Sequence, residues 1–182
     1  MNKYYNIDDI LTDGQKIPVV FQLPVPGMGY LEHERSSSSG IKQGARIELP
    51  LWLAEMLAIG GISDELPTGF ITVSAPAPFN NKVLNALSAD PGSVDLRAQS
   101  MQFYKFAERW LAMTGDNALL DTVMDTFKAR AAIVHDHAHN TRSALMTDRS
   151  EFLGTLDDTE IKLFKAAQEA SKDLKRWTTM KK

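Results

Sequence analysis

Seven of the eight prolines lie before residue 80. Proline removes a backbone donor and clashes with the preceding helical turn, so long helices are confined to the part of the chain that lacks it. The early part accordingly reads as short strands and turns. KIPVVFQLPV (16–25) is β-branched and apolar but punctuated by Pro18 and Pro24, which suits a short or edge strand. ARIELP (45–50) and GFITVS (69–74) are further strand candidates, PGMGY (26–30) a turn, and ERSSSSG (34–40) a flexible loop. Two short helices interrupt this region, at about 8–11 with Asp8 as N-cap, and at about 50–59 with Pro50 at the first helical position. SAPAP (74–78) reads as a linker.

From Phe79 onward the apolar period becomes helical. The spacing predicts a helix over 80–90 that stops before Pro91, and one over 96–113 capped by Asp95 and ended by Gly115. A third is expected over 117–140. A fourth is expected over 157–177, where Asp157 and Glu160 have capping-box spacing. The expected fold is α+β, mainly α: a small β-rich domain over residues 1–75, then a helical bundle domain over 76–180. A chain of 182 residues can bury a core of its own without staples.

Several function classes lose ground on composition. The net charge of −3 offers no basic field for nucleic acid, so DNA contact is expected only indirectly. Without cysteine there can be no disulfide, thiolate zinc site or cysteine nucleophile. The first residues lack a signal-peptide h-region, and LPLWLAEMLAIGGI (49–62) is too short and interrupted to span a bilayer, so a soluble intracellular protein is expected. No Walker A loop, nucleophile elbow, dinucleotide fingerprint or EF-hand loop is present. No cofactor is expected. The acidic pairs Asp8–Asp9 and Asp157–Asp158 stand at helix starts, where capping and the macrodipole account for them. The basic KDLKRW (172–177) suits the end of the last helix.

IVHDHAHN (133–140) carries three of the four histidines. On a helical wheel with Phe127 at zero, Leu120, Ala131, Val134 and Ala138 fall within about 40° and form the expected core stripe. His135 and His137 then lie on opposite flanks, about 160° apart, and cannot share a metal ion. His135 and His139, at i and i+4, could. The alternative function is therefore a small metal-dependent hydrolase using that pair with a carboxylate from elsewhere; the simpler reading is a polar, dipole-matched helix end.

Apolar helix surface is more abundant than one small bundle needs. Leu163, Ala167, Ala170, Leu174 and Trp177 are spaced 4, 3, 4, 3, a heptad-like seam suited to another helix. Phe103, Phe106, Trp110 and Met113 belong to a helix apolar around most of its circumference. Leu49, Trp52 and Leu53 pose the same question. Either these residues fill an ordinary core or they form subunit and domain interfaces.

The order of segments is similar to that of a known family. YYNIDDIL (4–11), KIPV (16–19), VPGMGYLE (25–32), IELPLWLAEML (47–57), NALSADPGSVDLR (85–97), FYKF (103–106), TFKARAAIVHDHAHN (126–140) and LDDTEIKLFKAA (156–167) occur collinearly. Together they resemble a subunit of the GINS replication complex in its fungal form. The resemblance implies a heterotetramer of related subunits, each with a helical A domain and a β-rich B domain, here in B-then-A order. It also implies a nuclear, non-catalytic scaffold, with the helix at Trp52 bridging the domains. The implied partners are the other three GINS subunits and, within the CMG helicase, the MCM helicase and the Cdc-forty-five protein.

Overall fold

The structure is a computed structural model that describes residues 5–31, 40–60, 69–139 and 146–180. The expected loop at 34–40 lies outside these residues except for Gly40. The chain divides into two compact units, Met1–Ala77 and Pro78–Lys182.

The first unit is built on a three-stranded antiparallel sheet in the order β2-β1-β3. Helix α1 (Ile7–Asp13) precedes β1 (Lys16–Phe21); β2 (Arg46–Pro50) runs directly into α2 (Leu51–Gly60), and β3 (Ile71–Val73) follows. Ile17 pairs with Leu49 and Val19 with Ile47, while Val20 faces Thr72. Strand alternation sends Ile17, Val19 and Phe21 to one buried face, joined by Ile47, Leu49 and Ile71. The cap of α1 is Asn6, whose side chain accepts from the Asp8 amide, rather than Asp8 itself. Asp8 and Asp9 occupy the first turn, where their charge suits the dipole.

Despite Pro18, β1 is the central strand and not an edge. The Ser74 amide donates to the Pro18 carbonyl, and in a strand the N and O of one residue point to the same side. Pairing with β3 begins only at Val19. The missing donor of Pro18 thus faces the place where β3 has already ended, and costs no ladder bond.

In the second unit a short 3-10 turn, Ala77–Phe79, leads into α3 (Asn81–Ala89), α4 (Leu96–Gln99), α5 (Phe103–Thr114), α6 (Asn117–His139), α7 (Met146–Gly154) and α8 (Asp158–Met180). Phe79 sits at the centre of an aromatic core, 5.0 Å from Phe106, 5.6 Å from Phe103 and 6.2 Å from Trp110 between ring centroids. Leu87, Leu96, Ala107 and Leu156 complete the buried interior.

Three expectations for this unit need correction. The helix expected over 96–113 is broken between α4 and α5. Ser100 ends α4 in an extended conformation, the Asp158 amide donates to the Met101 carbonyl at 2.9 Å, and Gln102 Nε2 donates to Asp158 Oδ2 at 2.9 Å. The start of α8 takes the backbone groups that a continuous helix would have used. Helix α7 carries no apolar period and was not expected.

The stripe of α6 is also rotated. Leu119, Val123, Thr126, Arg130, Val134 and Ala138 are its buried residues, and Leu120 is 42% exposed.

Candidate subunit interface

The most polar part of the interior lies where α6 meets the start of α8. Asp157 Oδ1 accepts from the Glu160 amide at 2.7 Å, and Glu160 Oε2 accepts from the Asp157 amide at 3.3 Å, which closes the capping box. Glu160 then receives Arg130 twice, Nε to Oε1 at 2.7 Å and Nη2 to Oε2 at 3.0 Å. The remaining donors of Arg130 go to the carbonyls of Pro91 (2.8 Å), Val94 (3.0 Å) and Thr155 (3.4 Å), and to Thr155 Oγ1 (3.3 Å). The Phe152 ring covers the guanidinium at 5.1 Å. Arg130, Asp157 and Glu160 are all fully buried. A buried guanidinium is tolerated only when its N–H groups are satisfied in this way.

The Tyr104 hydroxyl donates to Glu160 Oε1 at 2.9 Å. Burial, and then the charge of Glu160, hold its phenol well above the usual range, so it remains a donor. Burial likewise pushes the Asp157 carboxyl up to about 6, with the Glu160 charge adding to the shift. These four side chains are tied up by one another and by nearby backbone groups. Arg130 is not among the residues that spacing marks, although a charged residue inside the stripe of TFKARAAIV (126–134) is a usable signal.

The histidines fall in the last turns of α6. His139 Nδ1–H donates to the His135 carbonyl at 3.0 Å, and the two rings lie 4.2 Å apart. His137 stacks instead near Phe152, at 5.4 Å. Among the described residues, no three His, Asp or Glu side chains stand together as a metal ion would require. His33 lies outside the described residues.

The apolar candidates separate into three groups. Leu49, Phe103, Phe106 and Trp110 are buried within the chain's own two cores. Leu53, Met113 and Ala167 are half-buried. Trp52 is 47% exposed and shares one face of α2 with exposed Met56 and Ile59, at spacings of 4 and 3. Exposed Ile7, Ile10 and Leu11 form a similar face on α1.

On α8 the packed side runs through Glu160, Phe164, Ala167 and Ser171. The expected seam shares Ala167 with it but is centred roughly 70° away, by the 100° advance per residue. Leu163 and Ala170 are exposed, Leu174 is 62% exposed and Trp177 56%. From Lys172 to Met180 every residue of α8 is exposed. Polar chemistry is thus internal, and apolar helix faces are external.

The same division into two parts appears in comparisons with known proteins. The family model of the PSF3 N-terminal domain matches residues 5–59, and that of the GINS complex protein helical bundle domain matches residues 78–179. The chain belongs to the PSF3 family of GINS proteins. Relatives named DNA replication complex GINS protein PSF3 match it almost from end to end. That of Phaeosphaeria nodorum is 45% identical over 180 residues, covering 98% of this chain and 97% of that protein. The Aspergillus fumigatus protein is 43% identical over 175 residues, covering 96% and 95%. The Saccharomyces cerevisiae protein is 34% identical over 190 residues, covering 96% and 97%. In PSF3 terms, the N-terminal match takes in α1, β1, β2 and most of α2, and so includes the Trp52 face. The helical-bundle match takes in the aromatic core, the Arg130 network and the α8 seam.

Proposed function

We propose that this chain is a non-catalytic scaffold subunit of the GINS heterotetramer. Through the tetramer it serves the CMG helicase, together with the MCM helicase and the Cdc-forty-five protein, in the initiation and elongation of DNA replication in the nucleus. The observation that carries this reading is the near full-length similarity to proteins named as DNA replication complex GINS subunits. The distribution of chemistry supports it. The buried charged groups tie helices together, while Trp52, Met56, Leu174 and Trp177 leave apolar area exposed that a multi-subunit assembly would cover.

The test is native mass of the chain co-expressed with the other three GINS subunits, beside the chain alone. A one-to-one-to-one-to-one assembly is expected, and a monomer that ignores those partners would overturn the proposal. Leu174→Asp with Trp177→Asp should lower the yield of assembly. Trp110→Asp tests something else, because Trp110 lies in the chain's own core and its loss would unfold the helical unit. Stoichiometric zinc, iron or manganese in the purified protein would favour the His135–His139 hydrolase instead.

A further inference from the structure

Helix α5 begins without a cap of its own. Gln102 stands at its N-cap position but makes no side-chain bond to the helix. Its Nε2 donates to Asp158 Oδ2 instead, at 2.9 Å. The first amides of a helix have no partner within it and need one from outside. For α5 the partner comes from 53 residues later in the chain, where Asp157 Oδ2 accepts from the Tyr104 amide at 3.4 Å. The other oxygen of the same carboxylate, Oδ1, accepts from the Glu160 amide at 2.7 Å. One buried carboxylate thus stands at the starts of two helices, with one oxygen for each.

Asp158 doubles the connection, because its amide donates to the Met101 carbonyl at 2.9 Å while its carboxylate holds Gln102. Arg130 closes on Glu160 and leaves the Asp157 charge to the positive ends of α5 and α8. These ties are not independent. Fraying the first turn of α5 leaves Asp157 Oδ2 buried without the Tyr104 amide, and fraying that of α8 carries the carboxylate away from Tyr104. An orphaned buried acceptor is costly, so opening both turns together to water is the cheaper route. Tyr104 and Thr159 also line the apolar cleft between α5 and α6. The segment that opens therefore includes one end of that face.

We infer that Asp157 is a shared cap, and that through it the first turns of α5 and α8 open and close as one unit. Hydrogen exchange of backbone amides in the full chain, resolved by NMR, tests this. Asp157→Ala should speed exchange of the Tyr104 and Glu160 amides together, by roughly ten-fold or more each. Gln102→Ala removes a tie on the α5 side alone and leaves Asp157 in place. It should nevertheless speed the Glu160 amide as well as the Tyr104 amide. Acceleration of the Glu160 amide alone in Asp157→Ala would overturn the shared cap. Acceleration of the Tyr104 amide alone in Gln102→Ala would leave two independent helix starts and overturn the single unit. Should Asp157→Ala fail to fold, Gln102→Ala decides the matter by itself, since it removes no carboxylate.

Discussion

Arg130 ties α6 to the carbonyls of Pro91, Val94 and Thr155 and to the Glu160 carboxylate through one side chain, and its removal is correspondingly costly. Arg130→Met leaves Glu160 buried without a cation, which typically destabilises by about 3–5 kcal/mol. The urea midpoint should fall accordingly. Arg130→Met combined with Glu160→Leu should recover a large part of the loss, because no buried charge then lacks a partner. Asp157 gives a prediction of the opposite sign. Its pKa in the fold is raised from 3.8 to about 6, so the folded state holds this proton more tightly than the unfolded chain. The stabilising contribution is present below the unfolded value and is lost as pH rises through 6. Asparagine caps equally well without a charge. Asp157→Asn should therefore melt higher than the native protein near neutral pH, and the advantage should shrink and disappear as pH falls below about 4. Differential scanning calorimetry at several pH values reads this directly.

Among the elements, those governed by local chemistry were legible in the sequence and those governed by distant contacts were not. Gly115, at φ +66°, ends α5 in the left-handed region that glycine adopts freely, and its position after MT was sufficient warning. Asp95 was equally readable as the cap of α4. The gap between α4 and α5 was unreadable, because Asp158, more than fifty residues away, dictates it. Pro18 misled for the same kind of reason, since its tolerance depends on where β3 stops. The spacing of the α8 seam was visible, but its angle to the packed side was not, so residues of the core and residues of the surface were grouped together. Their consequences differ. Phe106→Ala should cost about 3–5 kcal/mol, as buried aromatic truncations do. Leu174→Ser should change the stability of the chain by less than about 0.5 kcal/mol and show its effect only in assembly yield. Urea unfolding of the chain and native mass of the complex, measured on both variants, separate the two classes.

For the whole molecule, the two units carry independent cores, one around Ile17, Val19 and Leu49 and the other around Phe79, Phe103 and Phe106. The order of a β-rich unit before a helical bundle is legible in the proline distribution together with the change to a helical apolar period after Phe79. Partner identity is not, since an exposed apolar face does not say what, if anything, covers it. If the exposed faces are closed by other subunits, apparent thermal stability becomes concentration-dependent. Dilution of the assembled complex should lower its melting temperature, whereas a self-sufficient monomer would melt at a constant one. The Arg130–Glu160 pair, finally, sets a timetable. The arginine is made 30 residues before its carboxylate, an interval of roughly 1.5–6 s at ordinary rates of synthesis. Throughout that interval the guanidinium lacks its carboxylate, so closing the bundle before the last helix arrives would bury an unpaired charge.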